Sequence, residues 1–178
     1  MRISAVLAVA MLVTAGPFAS NAVGRSRDLP THCGGKERVV YSCQFGRKTG
    51  SVCLAKSSLR YAFGPIGKPE LNLVSAPDWS NVRIHRLYSA ALAQAHVRIS
   101  NGPTSYIVYF GETGQLAEAP GRRISGITVA DQNGKELAGL SCKSGARIDS
   151  SAFGDMARSA PRHWQGEEQP DGPFDVYF

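Results

Sequence analysis

The sequence predicts an all-β, mainly antiparallel fold, a single-domain barrel or sandwich of about eight strands with a short C-terminal helix. Three observations lead there. Apolar residues alternate with polar ones at a period of two in run after run, as at Val39–Phe45 and Ser105–Phe110. Turn chemistry separates the runs: Gly46 and Gly50, Gly64-Pro65, Asn101-Gly102 and Asn133-Gly134. Helical signals come late, after Cys142.

Taken in order, Val39, Tyr41, Cys43 and Phe45 share one face of a first strand. Gly46-Arg47-Lys48-Thr49-Gly50 is a polar loop, and Ser51–Leu54 returns beside it. A hairpin centred on Lys48 places Cys43 opposite Cys53. Leu59–Phe63 is a third strand, Gly64–Pro69 a turn, and Glu70–Leu73 opens a fourth. Ser75–Asp78 breaks the pattern, and Trp79 beside the break reads as a core lid. Val82–Tyr88 alternates as a strand. Ser89–Ala95 has helical propensity but no apolar stripe, so its conformation stays open. Residues 96–100 and 105–110 form a hairpin around Asn101-Gly102. Gly126–Ala130 and Lys135–Cys142 form the last one. Asp149 or Ser150 is suited to cap a short helix running to Arg158 and stopped before Pro161.

The ends are of another kind. Met1–Ala22 has a positive start at Arg2, an apolar run from Ile3 to Val13, and small residues at Ser20 and Ala22. This is the pattern of a cleaved secretory signal, and the run falls short of the roughly 20 residues that span a bilayer. Residues 23–32 read as a flexible lead-in, 33–160 as the β-rich globular domain, and 161–178 as a C-terminal tail rich in Pro, Gly and acid. The closing Phe174-Asp175-Val176-Tyr177-Phe178 is apolar enough to pack back on a sheet. Export points to the periplasm or the medium, with no transmembrane segment after cleavage. In that setting the four cysteines read as two disulfides. The hairpin arithmetic favours Cys43–Cys53 with Cys33–Cys142; the rival is Cys33–Cys43 with Cys53–Cys142. Zinc spacings such as C-x₂-C do not occur.

The cysteine hairpin, followed by Tyr61-Ala62-Phe63-Gly64 and Gly67-Lys68-Pro69-Glu70-Leu71, resembles a group of small exported proteobacterial proteins of uncharacterised function. Weaker likeness extends through Ser100-Asn101-Gly102 and Tyr106–Tyr109 to Gly126–Val129 and Cys142. The resemblance implies export and a compact β-rich domain, and it transfers no catalytic or binding residue.

Chemistry is sparse. His32, His85, His96 and His163 have no metal-ligand spacing. There is no G-x-S-x-G elbow, phosphate loop or dinucleotide fingerprint. No cofactor is expected, and the reading leans away from an enzyme, a hydrolase assembled in space being the remaining catalytic option. Charge is more informative. The chain carries a net charge of +6, concentrated between residues 23 and 110, while residues 111–178 are net acidic. A basic half suits an anionic envelope component: lipopolysaccharide, an acidic glycan or lipid headgroups. Nucleic acid is not expected. Lys68, held on a Gly/Pro turn, with Arg47, Lys48 and Arg60 nearby in sequence, is the candidate ligand-binding set. The main expectation is therefore a non-catalytic binding module. The alternative is a periplasmic lysozyme-inhibitor-like protein, for which Ser100–Tyr106 loosely matches an S-G-x-x-Y loop.

Overall fold

The structure, a computed structural model, describes residues 29–159. Ten strands and one helix follow in order: β1 (Arg38–Phe45), β2 (Lys48–Leu54), β3 (Leu59–Gly64), β4 (Leu71–Val74), β5 (Val82–Tyr88), β6 (Leu92–Asn101), β7 (Thr104–Thr113), β8 (Arg123–Asp131), β9 (Glu136–Ser141), β10 (Arg147–Ile148) and α1 (Ser150–Ser159). They build two five-stranded sheets, ordered β10-β1-β2-β3-β4 and β5-β6-β7-β8-β9. Every pairing is antiparallel. The fold is thus a sandwich of two meanders and not a closed barrel. The signal segment and the tail lie outside the described residues.

The alternation read from sequence puts Tyr41, Val52, Tyr61 and Leu73 in one register row of the first sheet. They meet Val97, Ile99, Val108, Phe110 and Ile127 of the second sheet in one core. Aromatic pairs bridge the layers, Tyr41 with Phe110 at 6.1 Å and Tyr61 with Tyr106 at 5.9 Å between ring centres. Trp79 is buried in the same core, as a lid beside a chain break should be. Helix α1 adds Ala152, Phe153 and Met156. Its start is capped by Asp149, whose Oδ1 accepts from the backbone N–H groups of Ser151 and Ala152, both at 2.9 Å.

The disulfide pairing corrects the expectation. The bridges are Cys33–Cys53 and Cys43–Cys142, so Cys43 is not joined to Cys53, nor Cys33 to Cys142 or Cys43. The reason is register. The first turn is the two-residue Gly46-Arg47, with Phe45 paired to Lys48. Cys43 therefore sits opposite Gly50, and a bulge between Val39 and Tyr41 brings Val39 opposite Cys53. Centring the loop on Lys48 had shifted the pairing and turned Cys53 to the wrong face. Cys43 points into the interlayer core with Tyr41. Cys53 points to the outer face, where residues 30–33 lie across the sheet. There the Ser42 hydroxyl donates to Pro30 O at 2.8 Å, and the His32 backbone N–H donates to Ser51 Oγ at 3.1 Å. The described end of the lead-in is thus fixed to the domain by these bonds and by Cys33.

The open stretch 89–95 resolves into a turn at 89–91 and the first part of β6. Its alanines prefer a helix, but ten ladder positions shared with β7 outweigh that preference. Strand β10 was not foreseen, because two residues carry no periodicity.

Candidate functional site

Of the cations inferred from sequence, Arg47, Lys48 and Lys68 lie at the turn end of the first sheet, and Arg60 stands apart from them. Arg60 leaves β3 on the outer face and is neutralised there. Its Nε donates to Glu37 Oε1 at 2.8 Å, and its Nη2 donates both to Glu37 Oε2 at 2.5 Å and to His32 O at 2.8 Å. The Arg60 hydrogen bond holds the Glu37 carboxyl below the usual range despite some burial. This is a structural clamp on the chain that precedes β1. Lys48 lies at the other end of the sheet, donating to Glu70 Oε2 at 2.6 Å and standing over the Phe63 ring at 5.7 Å. That bond ties the β1–β2 turn to the β3–β4 turn. Lys68 and Arg47 are displayed on those two turns, with no ion pair to another described residue. The Lys68 turn is closed by its own backbone, Lys68 N–H to Pro65 O at 3.0 Å and Glu70 N–H to Phe63 O at 2.8 Å.

A built site lies elsewhere, at the seam between the sheets. Two register rows of the second sheet form its floor. One row runs Tyr88, Ala93, Glu112, Arg123; the next runs Arg86, Ala95, Phe110, Ser125. The opposite wall is Cys142, Gly145, Ala146, Ile148 and Ser150, the segment that crosses from β9 back to β1. The Cys43–Cys142 bridge and the pairing of Ile148 with Tyr41 hold this wall in place. Between them is a cleft of about 480 Å³, the size range of small-molecule sites.

Its electrostatics are lopsided. Arg123 Nε stands 4.0 Å from Glu112 Oε2, and both side chains are largely exposed, so this pair is weak and open to competition. At the far end of the second row the Arg86 guanidinium lies 4.7 Å from the centre of the Phe153 ring, a cation–π contact. Phe153 in turn packs edge-on against Phe110 at 5.3 Å. The cleft is thus lined by one arginine, one carboxylate and the Phe110 ring, with Arg86 outside its lining, over Phe153. Beneath it, burial raises the Tyr41 hydroxyl far above its ordinary range, eased only by the Ser125 side chain, to which it makes no well-formed hydrogen bond. Ser125 and Ser150 line the cleft, and no histidine is among its described lining residues.

The two central histidines are on the other side of the second sheet. His85 and His96 pair across β5 and β6 with ring centres 4.9 Å apart. Burial first, then His85 and Arg98, lowers the His96 pKa to about 3, so it is neutral at physiological pH. Among the described residues no group of three or more His, Cys, Asp or Glu is placed to hold a metal ion. The S-G-x-x-Y likeness is not displayed as a loop either, since Tyr106 turns inward against Tyr61.

No protein-family model, no curated protein and no solved structure matches this chain. Two disulfides among the described residues fit an oxidising compartment. No helix among these residues is long and apolar enough to cross a membrane.

Sequence reasoning missed the cleft because its floor and wall come from four separate stretches. Arg86 and Arg123 are 37 positions apart in the chain and come to adjacent register rows only through the β5-β6-β7-β8 pairing. The one available signal was the strand alternation that puts Arg86, Tyr88 and Ala93 on the core-facing side of their strands, where charge is unusual.

Proposed function

We propose that the protein is an exported, non-catalytic binding module for an amphipathic anion of the cell envelope or the medium. In this reading the ligand sits in the seam cleft and not on the Lys68 turn. The observation that carries it is Arg123, only loosely paired with Glu112, beside an apolar floor of Ala93, Ala95 and Phe110, with Arg86 at the outer end of the same register row as Ala95 and Phe110. An anionic headgroup can displace the loose Glu112 contact from Arg123, while an attached apolar part covers Phe110 and Ile148. Lipopolysaccharide, acidic glycan and anionic lipid share the anion; the apolar floor favours the two lipids. The periplasm or the medium is the compartment proposed, and membership in the exported group resembled by the Tyr61–Leu71 stretch is part of the same proposal.

The test is binding of the purified protein to lipopolysaccharide, to an acidic oligosaccharide and to anionic phospholipid vesicles, beside a lysozyme-inhibition assay. Arg86→Glu and Arg123→Glu are expected to weaken binding of the lipid probes tenfold or more, with Lys68→Ala unchanged. Binding that is lost with Lys68→Ala and indifferent to the cleft variants would move the site to the turn. Lysozyme inhibition with no lipid binding would replace this reading by the inhibitor alternative.

A further inference from the structure

Among the described residues the two most exposed large apolar side chains are Leu116, at 77%, and Tyr88, at 70%. Both belong to one end of the second sheet. Tyr88 ends β5, and Leu116 lies in the loop from β7 to β8. Backbone bonds tie that loop to the β5–β6 turn: Gly114 N–H donates to Ala91 O at 2.7 Å and Leu116 N–H to Ala90 O at 3.0 Å. Gly114 permits this approach, since a Cβ there would stand 2.3 Å from Ala90 O. Thr113 fixes the rest of the loop. Its hydroxyl donates to Ala119 O and accepts from Arg122 N–H, and its carbonyl accepts from Gly121 N–H. Leu116 is thus displayed by a bonded loop. Around it Ala90, Ala91, Ala119 and Pro120 are also exposed. The turns at the other end of this sheet, 101–103 and 132–135, contain no large apolar residue. Exposed apolar side chains scattered singly need no explanation, but two brought together at one end do.

We propose that this end of the second sheet is a docking surface for an anionic lipid bilayer, with Leu116 entering the acyl layer. Its composition matches a boundary between hydrocarbon and headgroups. Leu116 and the small residues around it present the apolar part. Tyr88 joins an apolar ring to a polar hydroxyl, which suits headgroup depth. Arg86, Arg122 and Arg123 are exposed near them, against Glu112 and Glu118. Arginine suits such a boundary, because its stem covers apolar surface while its guanidinium reaches phosphate. The excess of cations selects an anionic bilayer. The position of the surface supports the same partner. Tyr88, Ala93, Glu112 and Arg123 form one register row and also line the seam cleft. A bilayer docked here therefore meets the rim of that cleft. The choice of lipid over protein rests on the cleft reading, an amphipathic anion being what an anionic bilayer supplies.

The experiment compares two probes on the purified protein. One is vesicles of equal parts phosphatidylglycerol and phosphatidylcholine; the other is a short-chain phosphatidylglycerol kept monomeric. Leu116 is not among the residues that line the cleft. Leu116→Asp is therefore expected to weaken vesicle binding tenfold or more and to leave monomer binding unchanged. In Leu116→Trp, vesicles with brominated acyl chains are expected to quench fluorescence beyond the loss seen in the parent. Vesicle binding that is absent in the parent, or indifferent to Leu116→Asp, would overturn the docking surface. So would a dimer that dissociates in Leu116→Asp, which assigns this end to a second copy. Equal loss of monomer and vesicle binding in Leu116→Asp would make the loop part of the cleft and overturn it too. Vesicle binding that needs Leu116 while no monomer binds would keep the docking surface and remove the cleft ligand.

Discussion

Gly64 and Lys68 lie four positions apart on one turn, and physical chemistry gives them opposite weights. Gly64 has φ of 140°, a region that L side chains rarely adopt, and an added Cβ would stand 2.5 Å from Glu70 N. Both the backbone and the space therefore demand glycine. Gly64→Val is expected to lower stability by about 1–3 kcal/mol. Lys68 stabilises nothing nearby, so Lys68→Ala is expected to stay within about 0.5 kcal/mol of the parent. Urea unfolding of the two variants checks this, and a Gly64→Val midpoint equal to that of Lys68→Ala would defeat the argument. At the level of residues, the backbone of this turn thus accounts for Gly64.

Among the elements, the register of β1 against β2 has the largest consequences. The two-residue turn puts Cys43 opposite Gly50 and hence Cys53 on the opposite face, and so each seeks a different partner. Cys33–Cys53 fastens the incoming chain to the outer face over a separation of 20 residues, while Cys43–Cys142 joins the two sheets over 99. Chain-entropy arguments assign about 3 kcal/mol to a loop near the shorter length and about 4.7 to the longer. Replacing Cys43 and Cys142 together by Ser is therefore expected to cost more than replacing Cys33 and Cys53, and to loosen the wall of the cleft. Non-reducing peptide mapping should find Cys43 joined to Cys142; recovery of a Cys43–Cys53 peptide would restore the in-register hairpin and sink the bulge.

For the whole molecule, the buried histidine sets the acid limit of stability. The His96 pKa is lowered to about 3, whereas in the unfolded chain it returns to about 6.5. Between those values the unfolded state binds the proton and the folded state does not. Stability is then full above about pH 6.5 and falls as pH drops toward 3, by up to a few kcal/mol. The depressed carboxylates of Glu37 and Asp149 act in the same direction, but only as pH falls below about 4. Urea midpoints at pH 7.5, 6 and 5 are expected to decline, with His96→Gln flattening the decline. Identical slopes for parent and variant would show that the histidine is not held neutral.

Some of this was determined by the sequence alone. The alternation of Val39–Phe45 and of Ser105–Phe110, the Asn-Gly turns and the Asp149 cap are local signals, because the period of a strand and the geometry of a turn depend on neighbouring residues. They sufficed for an antiparallel all-β fold, for most strands within a few residues, and for the closing helix. The tertiary structure decided everything that depends on which strand lies beside which. A one-residue change in register moves every side chain of a strand to the other face, and that reassigned all four cysteines. It also sent Arg60 to Glu37, brought Arg86 and Arg123 to adjacent register rows, and gave the second sheet a second buried face. Pairing between distant strands is chosen by the sum of contacts over the whole sandwich, and no window of the sequence contains that sum.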